Sequence, residues 1–261
     1  MHKLVTGMLL SLAFCLAVPG AAFGLTGREI MEKADKFNRA ADEVVELTMQ
    51  IVSGAGHRRT RKLTVYVKSG EGDDDKTLIR FTAPAGVKDT GLLTHEEGDK
   101  DLQWLYLPDL RKSKRISGAS KANSFVGSDF SNYDMRTEDL HNHAYELRGE
   151  EVVADRPCYK VEARPKDADT EEATGYSQRF FYIDKERWVA QKVEYVDRNQ
   201  KPLKVLNASQ LEQVKGLWRA RKVVVENVQE GSRTLLVQTG TRKINEGLGD
   251  RQVSKRALEA R

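Results

Sequence analysis

Residue types able to do covalent or metal chemistry are sparse in this chain. His141 and His143 flank Asn142 and are the nearest approach to a ligand pair. On an extended chain they project to opposite sides, and no third ligand stands close. Cys158 is one of only two cysteines, and in Arg-Pro-Cys-Tyr-Lys-Val it reads as a small apolar strand residue. The glycines of Thr-Gly-Thr-Arg-Lys-Ile-Asn-Glu-Gly-Leu-Gly-Asp, 239–250, lack the strand–loop–helix setting of a phosphate loop. No Gly-x-Ser-x-Gly, His-Glu-x-x-His or paired-cysteine motif occurs. The residues therefore indicate no enzyme, no metal and no cofactor. A hydrolytic carboxylate pair among the many Asp and Glu residues is the reading that spacing leaves open.

The clearest chemical signal is electrostatic. In Leu-Gln-Trp-Leu-Tyr-Leu-Pro-Asp-Leu-Arg-Lys-Ser-Lys-Arg-Ile, 102–116, an apolar strand runs straight into Arg111, Lys112, Lys114 and Arg115. Charge on both faces of the second half excludes a buried strand and predicts an edge or rim. There the four cations either block strand pairing or meet lipid headgroup phosphates or an acidic partner. His-Arg-Arg-Thr-Arg-Lys, 57–62, is a second basic cluster. The net charge of the whole chain is only +4, too little for a dedicated nucleic-acid binder.

The elements that must position these groups follow from periodicity. Residues 1–24 have a short basic start, an apolar run and a small-residue end, with Ala22 and Gly24 at −3 and −1. That is the pattern of a secretory signal peptide, with Cys15 inside the discarded part. Thr26 and Glu29 form a capping-box pair ahead of Ile30, Ala34 and Phe37 on one helical face, which predicts a helix over about 28–40. From there the period changes to two. Val45, Leu47, Met49 and Ile51 alternate with polar residues, as do Leu63, Val65 and Val67. Roughly a dozen such strands, separated by short turns, predict one antiparallel meander in a single domain over 25–261. The stretch 164–175 reads as a solvated hairpin loop. Only 118–142 breaks the pattern at length. It is Ser/Asn/Gly-rich yet carries Phe125, Phe130 and Tyr133, and large apolar groups in a loop imply docking.

A meander this long buries one face by curling, with the helix and the 118–142 loop available to cover the concave side. Such a trough suits a long acyl chain, whose burial is worth about 0.8 kcal/mol per CH₂. Trp104 and Tyr106 share one face of their strand and Leu105 and Leu107 the other, so this strand is central or covered on both sides. The candidate lining and lid residues are Leu47, Met49, Ile51, Val65, Phe81, Leu93, Trp104, Tyr106, Phe125 and Phe130.

The stretches 80–93, 103–117 and 123–135 together resemble the signature of the LolA-like outer-membrane lipoprotein-sorting proteins. Within them they are most similar to the branch found beside exporters of the resistance-nodulation-division superfamily. The resemblance implies a mainly β fold, a strongly curved antiparallel sheet forming an incomplete barrel, with helices lidding a hydrophobic cavity. It implies a periplasmic carrier of lipoprotein or lipid acyl chains that works with an inner-membrane exporter. The smaller sorting chaperone lacks the Leu-Pro-Asp-Leu-Arg-Lys-Ser-Lys-Arg signature, so lipoprotein and other greasy cargo both remain open. A non-carrier sensor or interaction module on the same fold is the alternative expectation.

Overall fold

The computed structural model describes residues 24–70, 74–97, 100–138 and 140–260. The expected signal peptide, Cys15 and parts of the turns after Ser69 and Glu97 lie outside them. The expected meander is present as thirteen described strands in one antiparallel sheet. They are β1 (Asp42–Val52), β2 (Arg58–Lys68), β3 (Lys76–Ala83), β4 (Gly91–Glu97), β5 (Lys100–Leu107), β6 (Lys112–Ile116), β7 (His143–Val153), β8 (Arg156–Pro165), β9 (Tyr176–Asp184), β10 (Ala190–Asp197), β11 (Pro202–Val214), β12 (Leu217–Asn227) and β13 (Ser232–Ile244). The order is β6-β5-β4-β3-β2-β1-β13-β12-β11-β10-β9-β8-β7, so β6 and β7 are open edges. The strand carrying the four cations is thus an edge, as its charge pattern requires.

The sheet is not closed into a barrel, and two side chains show how far it curls. Tyr176 of β9 donates to Asp134 at 2.9 Å, while Arg136, two residues further on, donates to Asp101 of β5 at 2.6 Å. β5 and β9 stand nine places apart in the sheet. In a flat sheet that separation is about 43 Å at ~4.8 Å per strand. Neighbouring side chains of one segment reach both strands only because the sheet folds round them.

Helix α1 (Gly27–Asn38) begins with the expected box: Thr26 N donates to Glu29 Oε2 at 2.7 Å and Glu29 N to Thr26 Oγ1 at 3.2 Å. Its buried face is Ile30 and Met31 with Ala34 alongside, whereas Phe37 is 45% exposed and not part of the packed face. Asn38 anchors the far end by donating to the Arg187 and Trp188 carbonyls and accepting from Trp218 N. The 164–175 stretch is a hairpin connection but not a plain loop. It contains α2 (Ala168–Thr174), started by the Asp167 side chain on Thr170 N and ended by Gly175 at φ 77°. Both caps are legible in Asp-Ala-Asp-Thr-Glu-Glu-Ala-Thr-Gly.

The C-terminal segment supplies an unexpected element. After β13 the chain makes a 3-10 turn at Asp250–Val253 and helix α3 (Lys255–Glu259), whose N-cap Ser254 accepts from Ala257 N at 3.1 Å. Leu248, Val253 and Leu258 pack on Leu78, Leu93 and Tyr106. Arg80 fixes the segment by donating to the carbonyls of Ala257, Leu258 and Ala260. Gly91 lies directly below it, where a Cβ would stand 2.8 Å from Leu258 Cδ1 and make that side chain shift.

Candidate functional site

Residues directly opposite one another in paired strands share a face. One continuous row therefore runs through Leu105, Leu92, Ile79, Val65 and Val45. A parallel row continues from Ile51 through Thr234, Val225, Leu206, Val193, Phe181 and Val161. Together these rows form an apolar floor on the concave face. Over β7–β10 it is covered by α1, with Ile30 and Met31 set among Val161, Phe181 and Val193. Over β1–β6 it is covered by residues 118–142, which contain short 3-10 turns at Gly118–Ala122 and Tyr133–Met135.

Phe125 and Phe130 do dock. Phe125 N donates to Phe130 O at 2.7 Å, closing a small loop that turns both rings onto Met49, Ile51, Leu63 and Phe81. The loop is fastened from several strands. Arg61 and Arg59 of β2 donate to the carbonyls of Val126 and Gly127, which accounts for two cations of the 57–62 cluster. Asp129 accepts from the hydroxyls of Ser232 and Thr234 on β13. Lys204 of β11 donates to Asp134 Oδ2 at 2.6 Å and to Asp129 O at 2.8 Å, and Lys204 and Asp134 are almost fully buried. Further along, Glu138 takes two bonds from Arg179, at 2.7 and 2.8 Å, and one from Tyr145. Arg136 lies between Asp101 and Glu96. Burial pushes the Glu96 carboxyl up to about 7 against the pull of Arg136. Asp134, Arg136 and Glu138 alternate along the chain, but nothing in their sequence names their partners.

Between the two covers, Leu47, Val65, Leu206, Val223 and Leu236 remain partly exposed on the middle strands. Two residue pairs beyond Val45 and Val65, and so on the same face, Glu43 stands opposite Val67. There a mouth of ≈270 Å³ is lined by Ala34, Asn38, Arg39, Glu43, Val67, Thr137 and Arg219, among others. Its polar rim is ion-paired: Arg219 and Arg242 share the carboxylate of Glu43, and Arg39 pairs with Asp75.

Of the sequence-derived candidates, Leu47, Met49, Ile51, Val65, Phe81, Phe125 and Phe130 meet in this one cluster. Leu93, Trp104 and Tyr106 do not. They lie on the opposite, convex face under the C-terminal segment, with Leu258 and Val253. β4 and β5 are covered on both sides, so their apolar runs feed two separate cores. Arg111, Lys112, Lys114 and Arg115 are all exposed at the sheet edge. Cys158 is fully buried, and burial with Asp184 nearby pushes its thiol up to about 11, which keeps it protonated and inert. Among the described residues, no group of three or more His, Cys, Asp or Glu converges as a metal site. No described helix is long and apolar enough to cross a membrane.

This geometry has solved counterparts. A DUF1329 family protein from Desulfovibrio piger is 32% identical, with 89% of this chain and 97% of that one covered and a TM-score of 0.82. The chain belongs to the DUF1329 family. A candidate outer membrane lipoprotein-sorting protein domain from Vibrio parahaemolyticus is 28% identical over 90% of this chain and 98% of that one, at a TM-score of 0.84. A LolA superfamily protein from Nitrosomonas europaea shares the fold at 18% identity and a TM-score of 0.70, over 90% of this chain and all of that one. A family model described as that of an uncharacterized protein matches residues 73–260. No curated protein matches the chain. DUF1329 members and LolA-superfamily proteins thus share the open, curled sheet seen here.

Proposed function

We propose that this DUF1329 protein is a periplasmic carrier. It shields acyl chains of a lipoprotein or lipid on its concave face and hands them on, with an inner-membrane exporter of the resistance-nodulation-division superfamily as partner. The observation that carries this reading is the apolar floor spanning the curled sheet, kept from water by two segments rather than by a second sheet. The mouth at Arg39 and Arg219 is smaller than the ~300–1,000 Å³ usual for ligand sites. Entry through that mouth therefore requires the covers to part, and in this reading Phe125 and Phe130 occupy the volume that an acyl chain would take. Each methylene buried in their place contributes about 0.8 kcal/mol. No step of this function needs a catalytic residue or cofactor.

The test is direct. Organic extracts of protein purified without detergent, read by mass spectrometry, should contain acyl lipids, and stripped protein should take up a fluorescent fatty acid. Protein that is always empty and takes up none would remove the carrier reading. One observation favours a second reading: the interior is filled by the protein's own side chains and bound down from β2, β11 and β13. A non-carrier interaction module predicts that empty result.

A further inference from the structure

The β5–β6 hairpin carries a feature that the concave face does not explain. Its tip, Leu107–Arg111, is held by Leu110 N donating to Leu107 O and Arg111 N to Pro108 O, both at 3.1 Å. This turn holds Leu110 out into solvent, where it is 63% exposed. Arg111 follows at φ 48°, a left-handed position at which glycine or asparagine fits with less strain. The cation is placed there nonetheless. Lys112, Lys114 and Arg115 continue along the edge strand, all exposed.

Many of the other cations are tied down, Lys121 and Arg136 to Asp101, Lys204 to Asp134, and Arg59 and Arg61 to loop carbonyls. Arg111, Lys112, Lys114 and Arg115 make no ion pair among the described residues. The acidic groups beside them are Asp109 in the turn, Glu259, which accepts from Ser113 Oγ at 2.6 Å, and Asp101, Asp167 and Asp169, which line a cleft with Arg115. Pairing places Ser113 opposite Tyr106 and Arg115 opposite Trp104 on the convex face, and Lys114 opposite Leu105 on the concave one. Cations therefore leave both faces of an edge strand. That arrangement opposes addition of a partner strand. It suits a flat anionic surface, with one apolar side chain at the tip and long basic side chains around it reaching phosphates.

We propose that the β5–β6 hairpin docks the protein on anionic membrane, Leu110 entering the interface and the four cations meeting lipid phosphates. The proposal is independent of what occupies the concave face. A shallow cleft of ≈590 Å³ lined by Tyr106, Arg111, Lys112, Ser113 and Glu259 lies at the same place.

Vesicle flotation tests it. The full chain should float with phosphatidylcholine vesicles only when they also contain phosphatidylglycerol, and high salt should release it. Each cation removed should weaken binding about fivefold, so replacing all four by Gln should weaken it several-hundredfold. Leu110→Ser should weaken binding further while leaving the thermal midpoint unchanged, because Leu110 is mostly exposed and belongs to none of the buried apolar clusters. If the four-Gln variant does not fold, Arg111→Gln with Lys112→Gln gives a roughly 25-fold loss to be read instead. Three results would overturn the proposal: no flotation of the parent with phosphatidylglycerol, equal flotation without it, or a folded four-Gln variant that floats like the parent. Complete displacement by inorganic phosphate at matched ionic strength would assign the cations to a free anion, and vesicle indifference with hairpin-dependent capture of an acidic protein would assign them to that protein. Either would also defeat it. Cargo extraction uses no vesicles, so failure here and failure of the carrier reading are distinguishable.

Discussion

Phe125, carried by the segment between β6 and β7, stacks on Phe81 of β3 with ring centroids 5.5 Å apart and planes 24° from parallel. Both rings are fully buried, and the Arg61 guanidinium lies 5.6 Å from the Phe81 centroid. The stack joins the covering segment to the floor of the sheet. In the proposed carrier function, it is the contact that an acyl chain on this part of the floor would replace.

Phe125→Ala should therefore lower stability by about 3–5 kcal/mol, the usual cost of emptying a buried aromatic site. Denaturant unfolding measures it. The same substitution should increase uptake of a fluorescent fatty acid, since the vacated space adjoins Met49, Ile51 and Leu63. Unchanged stability would mean the ring is not packed as described.

Lys204 and Asp134 form the buried fastening of the same segment to β11. Lys204→Met leaves Asp134 charged, buried and short of a partner, and should cost about 3–5 kcal/mol. Adding Asp134→Asn should recover part of that loss, because no unpaired charge then remains. A double-mutant cycle by denaturant unfolding reads the coupling, and strict additivity would contradict it.

Glu96 gives the protein a pH dependence of defined sign. Its carboxyl titrates near 7 when folded, raised by burial, against a reference of 4.5. Between those values the folded state holds a proton that the unfolded state has lost. The stabilisation is therefore present below about pH 4.5 and lost as pH rises toward 7, by on the order of 3 kcal/mol. Thermal midpoints should fall across this window, and Glu96→Gln, which cannot ionise, should flatten the fall. A variant with the parent's pH profile would exclude Glu96 as its source.

Leu258 closes the convex core over Gly91, Leu93 and Tyr106. Leu258→Ala should cost about 2–5 kcal/mol and speed hydrogen exchange in β4 and β5, while leaving β8–β10 protected. Faster exchange spread evenly over the sheet would show that the C-terminal segment is not a local cover.

Much of this architecture was legible in the chain. Strict alternation in Val45–Ile51 and Leu63–Val67 gave the strands, and Thr26 with Glu29 gave the start of α1. Cations on alternate faces put Lys112–Ile116 at an edge, and aromatics in a Ser/Asn/Gly-rich loop indicated docking. These signals are local: a side chain's direction relative to its neighbour is fixed by backbone geometry. Two helices were less visible, although Asp167 with Gly175 and Ser254 before Ala257 supplied their caps. Short helices carry little periodic pattern, and their stability comes from what they pack against.

What the sequence by itself determined is which residues share a face. Which face becomes the inner one was decided only by the tertiary structure. Leu92 and Leu93, or Leu105 and Tyr106, are apolar on both sides because α3 covers the convex face and the 118–142 segment the concave one. Alternation has no sign that distinguishes two buried sides. The partners of Asp134, Arg136 and Glu138 were decided at the same level, because a curled sheet brings β5 and β9 to within one side chain's reach of the same three residues.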